Sequence, residues 1–328
     1  MRVLSIYSNC SLGGMTSVYR SRAMREPGTQ FDYIFSHDRG GRAGYTELPN
    51  STVRVVAPER LPIYVNWVLG HARYREVRIT ANPGLVQNLS APLSTSVVYE
   101  FHSPEPETLK NELTSLPVEK IDEVWAPSAW EADLILSVLP CGKRLPIRVV
   151  SNPVDTDTFR LEGDSMPIER GGKIPVSWIG RLENTQKNYL DYLRTLSILP
   201  SKFYGMVLFS LEHRPDRLEN FLGDAAMLGV ADRLKIYSNL PQERVAAFHR
   251  GVRDAGGVFY SSSISESFGY AVYEASLCGC PVVSFDVGPM KSNPISNVEF
   301  VPVGDLGAAQ SAILAATTKE RGIGNAKT

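Results

Sequence analysis

Along nearly the whole chain, strand-length apolar runs alternate with helix-length stretches, and that alternation limits the fold more than any other feature. Strands of one sheet that are joined through helices run parallel, so the order implies parallel sheets covered by helices. In the first half, strands are expected at Val3–Tyr7, Tyr33–Phe35, Val53–Val56, Val97–Phe101, Glu123–Ala126 and Arg148–Ser151. Helices are expected there at Met15–Arg25, Val65–Glu76, Pro106–Leu116 and Ala129–Leu139. A Pro- and Gly-bearing stretch from Asn152 to Lys173 interrupts the pattern and reads as a linker. The alternation restarts with strands at Pro175–Ile179, Tyr204–Phe209, Leu234–Tyr237, Val258–Tyr260, Val282–Phe285 and Phe300–Val303. Between them fall helices at Asn188–Leu199, Asp216–Met227, Gln242–Arg250, Tyr270–Cys278 and Leu306–Ala316. The expectation is an α/β protein of two Rossmann-like, doubly wound parallel-sheet domains, 1–155 and 174–328, joined by 156–173 and facing a cleft. Ligands of such sheets bind at the carboxyl ends of the strands.

A chain of 328 residues is long enough for two cores. Its 34 basic and 35 acidic residues balance, so no overall field draws it to nucleic acid. No run approaches the roughly 18 apolar residues that a membrane span needs. The apolar run in Met1–Ser8 is too short for a signal peptide, and the expected compartment is the cytoplasm. Cys10, Cys141, Cys278 and Cys280 make no disulfide framework in a chain this long. Cys278 and Cys280 lack a second pair or a His cluster for zinc, and the four read as small buried residues.

Two carboxylates eight positions apart, Glu266 and Glu274, bracket Ser267-Phe268-Gly269-Tyr270 just after an expected strand. A strand, a small-residue turn and a helix start bring free backbone N–H groups and the positive end of a helix dipole to one place. A carboxylate beside that anion site accepts two hydroxyl hydrogen bonds at once, which suits a sugar, so the segment reads as a nucleotide-sugar site. Arg181 and Lys187 follow the strand ending at Ile179, as two cations fit to neutralise a departing diphosphate or as an ordinary solvated loop.

Gly13 and Gly14 follow the first strand, either for close approach of backbone to a ligand or as a plain turn into a helix. His102 ends the strand Val97–Phe101, where substrates of parallel sheets bind. Glu100 shares its strand face, placed either to orient His102 or to pair with a neighbour. Asp155-Thr156-Asp157 resembles a metal clamp superficially but sits in the linker and reads as structural, so no catalytic metal is expected. Tyr64, Trp67, Arg73, Tyr74, Arg75 and Arg78 recur at roughly helical spacing, as a partly buried helix with a basic face or a surface for membrane or anionic acceptor.

Taken together, these segments resemble glycosyltransferase family 4, retaining transferases of the GT-B fold, in order from about Val3 to about Ala316. The resemblance rests on Gly13-Gly14, His102, Trp125-Ala126-Pro127-Ser128, Ser151-Asn152-Pro153-Val154-Asp155, Gly180-Arg181-Leu182 with Lys187, Leu240–Val245 and Phe300–Asp305. Its most specific part is Glu266 to Glu274 with Gly279-Cys280-Pro281-Val282-Val283. It implies that Glu266 holds donor-sugar hydroxyls, that backbone amides of Ser267, Phe268, Gly269 and Tyr270 hold sugar and phosphate, and that Glu274 grips the ribose. Arg181 and Lys187, helped by Gly13-Gly14, would stabilise the leaving diphosphate, and His102 would contact the sugar near the reacting carbon. The N-terminal domain would bind the acceptor and the C-terminal domain the donor.

The chain departs from the family in the six-residue step from Arg181 to Lys187, in Ser267 and Ser238 where Gly is usual, and in Asp286-Val287-Gly288-Pro289-Met290. Only 23 residues follow Asp305, so the last helix that such enzymes send back across the N-terminal domain is not expected. No nucleophile is paired with a base, which favours front-side displacement. The implied activity is hexosyl transfer from a nucleotide-diphosphate sugar, UDP- or GDP-linked, to a carbohydrate, lipid or small-molecule acceptor, with no further cofactor. A sugar-nucleotide epimerase or hydrolase of the same fold, and a non-catalytic scaffold, are the alternatives. Peripheral contact with the inner membrane face and a homodimer both remain open.

Overall fold

The computed structural model describes residues 1–140, 142, 144–168, 171–210, 215–290 and 295–319. The chain divides into two compact units, Met1–Pro153 and Val154–Thr328. The first contains β1 (Arg2–Ser11), α1 (Gly14–Arg25), β2 (Gln30–Arg39), β3 (Ser51–Val55), α2 (Leu61–His71) and β4 (Glu76–Thr80). It continues with α3 (Pro83–Gln87), β5 (Ser96–Glu100), α4 (Pro106–Ser115), β6 (Glu123–Ala126), α5 (Ala129–Val138) and β7 (Ile147–Val149). Its strands pair in parallel in the order β3-β2-β1-β4-β5-β6-β7.

The second unit has β8 (Ile174–Ile179), α6 (Tyr189–Ile198), β9 (Phe203–Phe209), α7 (Pro215–Met227), β10 (Leu234–Ser238) and α8 (Gln242–Asp254). It ends with β11 (Val258–Ser261), α9 (Tyr270–Leu277), β12 (Val282–Phe285), β13 (Val298–Val301) and α10 (Leu306–Lys319). Again all strands are parallel, ordered β10-β9-β8-β11-β12-β13. In each sheet the order runs outward from a first strand and then reverses, at β1/β4 and at β8/β11. Such a reversal leaves a crevice outside the carboxyl ends of the two strands.

Strands covered by helices on both faces read as unbroken apolar runs. Every residue of β9, β11 and β12 is buried, whereas the edge strand β10 is half open to solvent. Gly205 in β9 is there for close approach, since a Cβ would lie 2.5 Å from the Tyr192 hydroxyl. Trp178, Tyr192, Phe203 and Tyr260 fill this core, each contributing about 1.5–3 kcal/mol by leaving water. Cys10, Cys278 and Cys280 are buried and form no disulfide, as expected; Cys141 lies outside the described residues.

One expected helix is corrected. The stretch Val65–Glu76 is not continuous helix: α2 stops at His71, Ala72 is extended, and the chain turns into β4 between β1 and β5. Two of the letters that suggested a solvated face, Tyr74 and Arg78, are instead buried and satisfied inside. The Tyr74 hydroxyl donates to Asp32 at 2.7 Å, and the buried Arg78 pairs with Glu76 and lies over the Trp125 ring at 4.6 Å. Trp67, Arg73 and Arg75 stay exposed, with the Trp67 ring stacked on His71. Among the described residues no helix is long and apolar enough to cross a membrane.

No described residue between Asn152 and Lys173 is in a strand or helix, yet the stretch packs onto the second unit. Phe159 is buried against Ala246 and Cys278. The Arg250 guanidinium donates to the carbonyls of Thr158, Arg160 and Asp164. Asp155 Oδ1 accepts the amides of Asp157 and Thr158 and closes a turn. No group of three or more His, Cys, Asp or Glu placed to hold a metal ion occurs among the described residues.

Candidate active site

In the second unit, the candidate residues gather at the β8/β11 reversal. The loop after β8 is built by Glu183, whose carboxylate accepts the amides of Thr185 (2.9 Å), Gln186 (3.0 Å) and Lys187 (2.8 Å), and the Thr185 hydroxyl. Burial opposes its charge, but the Thr185 hydroxyl and these amides hold Glu183 below its usual carboxylate range. The loop is fastened to the one after β11 by the Ile264 amide on Gln186 O (2.8 Å) and by the Ser262 hydroxyl on Asn188 O (2.8 Å). The buried Trp178 indole in turn donates to that Ser262 hydroxyl at 3.1 Å.

This scaffold sets Lys187 Nζ against Glu266 Oε1 at 2.5 Å, with the two side chains 21% and 10% exposed. The expected cation and the expected sugar-binding carboxylate are therefore in contact. Arg181 is not part of that pair: it donates to Gln186 Oε1 and stays 46% exposed. Past Glu266, the half-buried Ser267 leads to Phe268, whose ring stacks on Tyr273 with centroids 4.7 Å apart and lies 4.8 Å from Tyr270.

Gly269 then takes φ +86° and caps α9. A Cβ there would strike the Met290 thioether, so the turn into α9 requires glycine. The first N–H groups of such a helix have no acceptor within it, which makes its start an anion-binding end. Glu274 lies in the second turn of the same helix, buried.

In the first unit, Gly13 is the N-cap of α1 and Gly14 its first residue, both exposed at the end of β1. Neither needs glycine for conformation: Gly13 is extended, and a Cβ on it meets only the Ser11 hydroxyl at 3.6 Å. His102 follows β5, and its Nε2 meets Glu100 Oε2 at 3.1 Å. Glu100 is fully buried and takes Arg22 Nη1 on both oxygens, at 2.8 and 2.9 Å. Burial would raise its pKa, but the Arg22 charge, the His102 hydrogen bond and Arg78 hold Glu100 well below the usual range. Glu100 thus pairs with a neighbour, Arg22, and also meets His102.

Glu183 and Arg22 were not singled out in the sequence. Glu183 acts on backbone amides, which carry no letter. Arg22 had one signal: a Glu inside the apolar run Val97-Val98-Tyr99-Glu100-Phe101 demands a buried counter-charge.

Two parallel α/β sheets of seven and six strands, each with one order reversal, form the architecture of GT-B glycosyltransferase structures. Superposition on Anabaena HepE, solved with UDP and glucose, gives a TM-score of 0.77 over 98% of this chain and 91% of that chain, at 15% identity. Sucrose-phosphate synthase of Thermosynechococcus elongatus gives 0.74 over 99% and 92%, at 17% identity. The family described as glycosyl transferases group 1 matches residues 169–315, within the second unit. The D-inositol 3-phosphate glycosyltransferase of Acidothermus cellulolyticus is 32% identical over 43% of this chain and 33% of its own length. The chain spans about a third of that curated relative.

Proposed function

We propose that the chain is a retaining glycosyltransferase that moves a sugar from a nucleoside-diphosphate donor to an acceptor hydroxyl without a metal cofactor. The Lys187–Glu266 contact carries this reading. A cation and a hydroxyl-binding carboxylate side by side match the two unlike ends of a sugar diphosphate. Lys187, with Arg181, turns to the diphosphate, and Glu266 takes donor-sugar hydroxyls. Backbone amides from Ser267 to Tyr270 hold sugar and phosphate, and Glu274 holds the ribose. Gly13-Gly14 contribute backbone to the phosphates, and His102 contacts the sugar. UDP is the first nucleotide to try, since HepE was solved with it, and GDP the second. The acceptor is a carbohydrate, lipid or small molecule.

In the reaction, the acceptor oxygen bonds to the anomeric carbon on the face from which the phosphate oxygen leaves. The electrons of the broken carbon–oxygen bond go to the diphosphate, and the acceptor proton passes to the departing oxygen. Front-side replacement retains configuration. Lys187 and Arg181 stabilise the charge that builds on the leaving group, and the rest of the rate comes from positioning.

The test is release of UDP from UDP-glucose and of GDP from GDP-mannose, with and without a chelator. Lys187→Ala and Glu266→Ala should each lower kcat/KM by about 10²–10³-fold, the weight of one group that stabilises transition-state charge. Wild-type rates in both variants would show the site to be misplaced, and abolition by chelator would refute the metal-free reading.

A further inference from the structure

We infer that Glu100, clamped by Arg22, is a positioning residue that decides which nitrogen of His102 a ligand meets. The inference rests on reading His102 as a contact of the donor sugar. Glu100 is fully buried at the end of β5, and its two oxygens share Arg22 Nη1. Arg22 is itself buried in α1 and lies over the Trp125 ring at 5.5 Å, with Arg78 of β4 over the same ring at 4.6 Å. A carboxylate kept charged by two guanidiniums only accepts hydrogen bonds.

Its contact with His102 Nε2 therefore fixes the tautomer of the neutral ring: Nε2 carries the hydrogen and Nδ1 the lone pair. Nδ1 makes no hydrogen bond among the described residues, and the side chain keeps 12% exposure. The ring thus offers a ligand an acceptor, and a sugar hydroxyl is the group that donates to one. Because Arg22 lies in the last turns of α1, the same carboxylate ties His102 to the helix that begins at Gly14.

Glu100→Gln tests this with no change of shape. Arg22 requires an acceptor, so the amide turns its oxygen to Arg22 and its NH2 to His102 Nε2, which reverses the tautomer. Ring ¹⁵N NMR of the full chain reads it directly, with the signal identified by its loss in His102→Gln. At a pH that leaves the ring singly protonated, the wild type should show Nε2 protonated and Nδ1 bare, and Glu100→Gln the opposite. The variant should also lower kcat for UDP release from UDP-glucose about tenfold, the weight of one hydrogen bond, with KM little changed. A wild-type ring protonated at Nδ1, or a reduced kcat with the wild-type tautomer retained, overturns the inference. If Glu100→Gln does not fold, the wild-type spectrum decides alone. A wild type that turns over no nucleotide sugar overturns the donor-site reading beneath it, and does so separately from the ring assignment.

Discussion

Lys187 and Glu266 neutralise each other in the folded chain, so both are in place before a ligand arrives. Both were singled out in the sequence by their places after strands, although a solvated loop also accounted for Lys187. The groups that hold them were not, since Glu183 works through three backbone amides that no sequence displays. Glycines divide in the same way. Gly269 is fixed by a positive φ and by Met290, while Gly13 is fixed by neither. Gly269→Ala should therefore cost about 1–3 kcal/mol of stability. Gly13→Ala should leave stability near wild type, and any loss of turnover it causes would come from the space a ligand needs. Denaturant midpoints of the two variants check this, and equal midpoints would contradict it.

At the scale of elements, nearly every strand and helix of the second unit could be read, because fully buried strands show as apolar runs. β4 could not, because Arg78 and Glu76 satisfy each other inside the sheet and their letters look solvent-facing. Two helices carry buried titratable groups that make no hydrogen bond among the described residues: Glu131 in α5 and His249 in α8. Burial, with Glu112 nearby, pushes Glu131 well above its ordinary 4.5, so the folded chain keeps a proton that the unfolded chain gives up. Stability then falls as pH rises above 4.5, by about 1.4 kcal/mol per unit until the folded-state value is reached. Burial, helped by Arg250, lowers His249 from 6.5 to about 3, so stability also falls as pH drops through that window. Glu131→Gln should raise Tm at pH 8 and leave it unchanged near pH 4.5. The same offset at both pH values would refute the burial account.

On the scale of the whole molecule, the strand–helix alternation gives two parallel sheets, each with an order reversal. The second brings its candidate residues to the carboxyl ends of the neighbouring β8 and β11, and the first brings its own to the ends of β1 and β5, with β4 between them. The donor-binding residues proposed for the second unit fall within the stretch that matches glycosyl transferases group 1. The acceptor had no such signature, since acceptor pockets are shaped by loop contours rather than by a fixed spacing of letters. The central claim, that the start of α9 with Glu274 grips a nucleoside diphosphate, is tested most directly by thermal shift. UDP, GDP, ADP, TDP and CMP are added to wild type and to Glu274→Ala. A nucleotide at 100 times its dissociation constant adds about 2.7 kcal/mol of stability, enough to move Tm by several degrees. One diphosphate should raise Tm in the wild type and lose that effect in the variant. No shift from any of the five, or an equal shift in the variant, would contradict the assignment.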